Sequence, residues 1–167
     1  MRSKTGLGAI VLAILIFAAA APSVTAAPPT DACPLLTPAE ISAVVGVTVG
    51  AGTHITPTYL KSCTWAPSGG ATKDFATLLL ALESAASYQS AKAMLQAVAN
   101  SQGKGGITMT PASGIGDDAI YSSVANYTKL IVKKGDVVFQ LVIYGNFPIE
   151  KKRDMEKALA SKVLSRL

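Results

Sequence analysis

Residues 126–144 read NYTKLIVKKGDVVFQLVIY. In the second half Val137, Phe139, Leu141 and Ile143 alternate with Val138, Gln140, Val142 and Tyr144, the two-residue period of a β-strand. Lys133-Lys134-Gly135-Asp136 supplies a hairpin turn, so Asn126 to Val132 folds back as the partner strand. One antiparallel hairpin therefore anchors the chain, and the rest is read outward from it.

Upstream, Ala119 to Val124 is another strand. It follows a loop at Pro111 to Asp118 and a short extended piece at Ile107-Thr108-Met109. Ser87 begins a helix in which Tyr88, Ala91, Met94, Leu95 and Val98 recur at helical spacing, closed by a Gly-rich loop from Asn100 to Gly106. Phe75 to Leu82 is nearly all apolar, the mark of a central strand or one covered on both faces. Leu60 to Ala66 is a strand with Cys63 and Trp65 on one face. Val47 and Val49 alternate with Thr48 and Gly50 in a brief strand. Thr37-Pro38-Ala39-Glu40 starts a short helix: Thr37 caps, Pro38 fits the first turn, Glu40 completes a capping box, and Gly46 ends it. Downstream, Phe147-Pro148 opens a last helix reaching Leu167. Met155, Leu159, Val163 and Leu167 step by four along one face, with Lys151, Lys152, Asp154 and Lys162 opposite. The expected order is α-β-β-β-α-β-β-β-α. The expected fold is α+β, a largely antiparallel sheet of five to seven strands covered by about three helices.

The N-terminus reads as an address. Arg2 and Lys4 precede fifteen apolar or glycine residues, Leu7 to Ala21, and Val24-Thr25-Ala26 then offers a cleavage site. Residues 1–26 are expected to be a secretory signal peptide, cut after Ala26. An uncleaved anchor is the competing reading, but the run is shorter than the roughly 20 residues of a spanning helix. Residues 27–32 are a flexible lead, and 33–167 are expected to be a single secreted domain. Cleavage removes two of the fifteen basic residues and none of the ten acidic ones, leaving thirteen against ten, a net +3. That is an ordinary solubility charge, not a nucleic-acid footprint.

Cys33 and Cys63 both survive cleavage, and an even count in an exported chain favours one disulfide. A redox pair usually spaces its cysteines two apart, and metal sites need more ligands than this chain offers. A disulfide closing about 30 residues contributes about 3.6 kcal/mol in the chain-entropy model.

Five stretches stand in a particular order: Cys33-Pro34-Leu35-Leu36-Thr37-Pro38-Ala39-Glu40, Gly46-Val47-Thr48-Val49-Gly50, Cys63-Thr64-Trp65, Gly114-Ile115-Gly116-Asp117-Asp118-Ala119, and the strand after Lys133-Lys134-Gly135-Asp136. Together they resemble a group of bacterial secreted proteins and lipoproteins that carry a domain of unknown function. The resemblance covers nearly all of the mature chain and implies a Cys33–Cys63 bridge. The departure is Thr30-Asp31-Ala32 before Cys33, which is not a lipidation signal. No catalytic residue is carried over.

Chemistry is scarce. Gly114-x-Gly116-x-x-Ala119 superficially matches a dinucleotide fingerprint, but that motif requires a strand before and a helix after it. Gly114, Gly116 and Asp117 are instead expected to build a structural turn, the glycines at positive φ and Asp117 accepting from turn amides. Asp117 and Asp118 are adjacent in an extended segment and point to opposite faces. A glycosidase pair would have to be drawn from carboxylates such as Glu40, Asp74, Glu83 and Asp136, meeting only in the fold. His54, the single histidine, sits in a Gly/Thr/Pro turn and is expected to be solvent-exposed. Lys151-Lys152-Arg153 is expected to lie on a solvated helix face, and Trp65 to pack against the disulfide. The sequence therefore leads to a secreted monomer without cofactor, metal or catalytic residue, binding an extracytoplasmic partner or small ligand. The alternative is a secreted hydrolase whose carboxylates are brought together by the fold.

Overall fold

The computed structural model describes residues 27–101 and 106–167. The expected signal peptide lies outside the described residues, as does most of the Gly-rich loop before Gly106. Among these residues six strands form one antiparallel sheet: β1 (Ser62–Trp65), β2 (Phe75–Glu83), β3 (Ile107–Pro111), β4 (Asp118–Val124), β5 (Tyr127–Lys134) and β6 (Val137–Gly145). Their spatial order is β1-β2-β6-β5-β4-β3. Three helices accompany them: α1 (Pro38–Val45), α2 (Ala85–Asn100) and α3 (Ile149–Leu164), with a short 3-10 turn at Cys33–Leu35.

The class and the numbers of strands and helices match the sequence expectation. The order does not: it is α-β-β-α-β-β-β-β-α. The expected strand at Val47–Val49 shrinks to a single bridge, Val49 to Pro67, because Gly46 and Gly50 flank too short a run to sustain a ladder. The missing strand appears instead at β3, pairing Ile107 with Val124 through Pro111 with Ile120.

Alternation divides the sheet between two cores. Toward one face point Cys63 and Trp65 of β1, Leu78, Leu80 and Leu82 of β2, Leu130 and Val132 of β5, and Phe139, Leu141 and Ile143 of β6, all buried against α1 and α3. A register shift between Phe75 and Thr77 lets Phe75 join the same face. Toward the other face point Ile120, Ile131 and Val138, which gather under Tyr88 of α2. Two helices thus seal one face, and a single helix covers the other.

Local chemistry sets the helix ends. Thr37 caps α1 by accepting from the Glu40 amide, Glu40 accepts from the Thr37 amide, and Gly46 ends the helix at φ +76°. On α3, Met155, Leu159 and Val163 are buried as expected, but so are Lys152 and Glu156. Lys152 therefore does not belong to the solvated face assigned to it. An inward stripe on a helix repeats at three and four, so 152, 155, 156, 159, 160 and 163 share one side.

Candidate functional site

Because one helix cannot cover six strands, a groove of about 250 Å³ remains between α2 and the sheet. Its helix wall is Ser87, Ser90, Ala91 and Met94, and its floor is Met109, Ser122, Lys129, Ile131 and Gln140, from β3, β4, β5 and β6. Glu83, at the end of β2, lies on its rim. The floor residues belong to the alternation that turns away from the main core. Met109 pairs with Ser122, which pairs with Lys129, and Ile131 pairs with Gln140, so the lining is contiguous across four strands. Met94 is about half exposed at the mouth. Ala91, Met94, Met109 and Ile131 give apolar surface beside three serine hydroxyls, the Gln140 amide, Lys129 and Glu83, which suits a small ligand with an apolar body and a polar head.

Along the same helix a more polar cleft is lined by Tyr88, Gln89, Lys92, Asp117, Asp118 and Lys133. Its carboxylates are spoken for. Asp118 accepts from Lys92 Nζ at 2.6 Å, and that contact holds its carboxyl below the usual range. Burial, and next the neighbouring Asp118 carboxylate, push the Tyr88 phenol up. Asp117 accepts from the Gly135 amide at 2.7 Å and from Lys134 Nζ at 2.9 Å, which lowers its carboxyl.

Gly114 and Gly116 take φ +74° and +59°. At Gly116 a Cβ would stand 2.5 Å from the Lys133 carbonyl oxygen and 2.8 Å from Val132 Cγ1. The Asp117 amide donates to that same Lys133 carbonyl at 2.9 Å. The segment is flanked by β3 and β4, strand on both sides, so a dinucleotide fingerprint has no helix to end on. Asp117 caps the neighbouring β5–β6 turn and not its own, a cross-strand role that sequence adjacency conceals.

The four dispersed carboxylates do not gather at one place. Glu40 is held by Arg166, Asp136 shares one end of the sheet with Glu83, which pairs with Val138, and Asp74 and Glu83 stand at opposite ends of the nine-residue β2. That separates the last two by about 30 Å at strand rise.

The Cys33–Cys63 disulfide is formed. Trp65 is buried beside it, and the Gly52 backbone crosses so near that a Cβ there would meet Cys63 Sγ and Trp65 Nε1 at 2.6 Å. His54 departs from its expected exposure. It is half-buried, with Nδ1 3.0 Å from the Ser62 carbonyl and 3.5 Å from Cys33 Sγ, and Nε2 3.7 Å from Asp31 Oδ1. The tight bridge of Thr53 to Thr64 draws this loop onto β1.

Glu156 was not visible as a site residue in the sequence. It is wholly buried, its Oε1 accepts from the Ile143 amide at 3.4 Å, and its Oε2 has no partner among the described residues. Burial pushes its carboxyl up to about 8. Buried Lys152, one helical turn away, donates to the Asn126 carbonyl, and burial pushes its ammonium down. Arg153 donates to Ser123 Oγ, which donates to Thr128 Oγ1, extending the polar group to the end of the β4–β5 hairpin.

No helix among the described residues is long and apolar enough to cross a membrane. No protein-family model, curated protein or solved structure matches the chain.

Proposed function

We propose that this chain is an extracytoplasmic, monomeric binding domain without catalytic activity, and that it holds a small amphipathic ligand between α2 and the sheet. The observation that carries the reading is the groove itself: a concave site that sets Ala91, Met94, Met109 and Ile131 beside serine hydroxyls, Gln140 and Lys129, on the face covered by one helix. The disulfide and the apolar N-terminal run support export to the cell envelope or medium. The resemblance to bacterial secreted proteins belongs to the same reading. A secreted hydrolase would need paired carboxylates in a cleft. Glu83 is the one carboxylate lining the groove, and Asp117 and Asp118 in the neighbouring cleft are each matched by a lysine, which favours binding.

The test uses anilinonaphthalene sulfonate, whose rings suit the floor and whose sulfonate suits Lys129. Wild-type protein should give saturable, one-site fluorescence. Ser90→Trp, which plugs the mouth from an exposed helix position, should weaken binding by about tenfold, or about 1.4 kcal/mol, with an unchanged melting temperature. Equal affinity in both proteins overturns the assignment.

A further inference from the structure

We propose that Asp31, Cys33, His54 and Cys63 form a zinc-binding site when the Cys33–Cys63 bond is reduced. Asp31, Cys33 and His54 each offer a ligand atom, and the three lie within 4.8 Å of one another. Cys63 Sγ is bonded to Cys33 Sγ and so lies beside the cluster, without being one of its three close donors in the disulfide form. Two thiolates, an imidazole and a carboxylate are a complete tetrahedral donor set for Zn²⁺.

The surroundings orient His54 Nε2 and Asp31 Oδ1 toward each other, whereas Cys33 Sγ, held in the disulfide, lies 3.5 Å from Nδ1. The Ser62 carbonyl can only accept, so the 3.0 Å contact assigns the imidazole proton to Nδ1 and leaves the lone pair on Nε2. Nε2 is the nitrogen that faces the Asp31 carboxylate. A ring nitrogen fixed by a backbone carbonyl while the other faces the metal is the usual outer-shell arrangement of a histidine ligand. Asp31 Oδ1 is itself held by the Cys33 amide at 2.9 Å. The Asp31 and His54 side chains are 36% and 23% exposed, so an ion can reach them.

Oxidation state gates the site. In the disulfide form two of the four donors are tied up, and Asp31 and His54 alone make a poor site. A dithiol reductant passes two electrons and two protons to the S–S bond, becoming a disulfide itself, and leaves two thiols. Breaking the bond frees the Cys33 side chain to turn its sulfur toward Nε2. Zn²⁺ then displaces both thiol protons. Metal would thus replace the covalent tie between the 3-10 turn and β1. The inference is independent of the groove.

The experiment titrates Co²⁺, a spectroscopic stand-in for Zn²⁺, into the exported chain in its oxidised form and after phosphine reduction. Reduced protein should bind one Co²⁺ with thiolate charge-transfer and tetrahedral d–d absorption, lost on adding Zn²⁺, and the oxidised protein should show neither. His54→Ala and Asp31→Ala, both reduced, should each bind about tenfold or more weakly. Absence of the tetrahedral spectrum in reduced wild type, or wild-type affinity in both variants, overturns the proposal. Circular dichroism melts of the reduced chain run alongside. Zn²⁺ should raise the melting temperature or restore the fold, and a reduced chain that zinc fails to stabilise also overturns it.

Discussion

Arg166 donates two hydrogen bonds to the Glu40 carboxylate, at 2.8 and 2.9 Å, across 126 residues of chain. It also donates to the Leu35 carbonyl, so the end of α3 is tied to the start of α1 and to the turn carrying Cys33. The guanidinium, followed by the Thr37 amide, holds the Glu40 carboxyl down at about 2. A depressed carboxyl adds stability above its unfolded value near 4.5, and loses that contribution as pH falls through about 2. Solvent screens this partly exposed pair, which reduces its worth to about 1 kcal/mol. Arg166→Ala should therefore cost about 1 kcal/mol more at pH 7 than at pH 2, where only its bonds to the Leu35 and Lys162 carbonyls remain. Urea titrations at both pH values check this, and a gap independent of pH would contradict it.

Glu156 has the opposite sign. Its carboxyl is raised by burial, so its contribution is complete below the unfolded value of 4.5 and is lost as pH rises toward about 8. Wild-type stability should fall across that window with a slope approaching ~1.4 kcal/mol per pH unit from this group. Glu156→Gln should flatten the slope and melt higher than wild type at pH 8, while matching it near pH 4.5. Parallel stability curves for the two proteins would show that Glu156 does not titrate in the fold.

Gly116 stands in its turn at φ +59°. Positive φ and the Lys133 carbonyl leave no room for a side chain, so Gly116→Val should cost about 3 kcal/mol. Asp117→Asn keeps an oxygen for the Gly135 amide and should melt only slightly lower, with groove binding intact. A wild-type melt for Gly116→Val, together with lost probe binding for Asp117→Asn, would make the turn a binding element.

Cys63→Ser should lower stability by about 2–4 kcal/mol and expose Cys33 to thiol reagents. Denatured, unreduced wild type should label no thiol. Two labelled thiols there would mean that the bridge does not form in the isolated protein.

What was legible in the sequence was periodic and local. Val137 to Tyr144, the Lys133–Asp136 turn and the Thr37–Glu40 capping box lie where spacing puts them, because each depends on neighbours within a few residues. β3 was not distinguishable as a full strand: ITMTP alternates weakly, and its pairing comes entirely from β4. Lys152 and Glu156 hid because a charged side chain reads as surface until the three-and-four stripe of α3 is laid on the sheet. The groove was beyond local reading, since β2 neighbours β6 and thereby brings Glu83 and Gln140 into one lining. His54 was misplaced for the same reason: two bridges to β1 and to Pro67, invisible in a Gly/Thr/Pro loop, press that segment against the disulfide.

The most direct test of the account is an amide chemical-shift map of the isotope-labelled domain during titration with anilinonaphthalene sulfonate. The account predicts saturable shifts concentrated at Ser87, Ala91, Met109, Ser122, Ile131 and Gln140, with β1 and the Gly114–Asp117 turn unmoved. Shifts that cluster around Trp65 and β1, or that never saturate, would contradict a ligand site under α2.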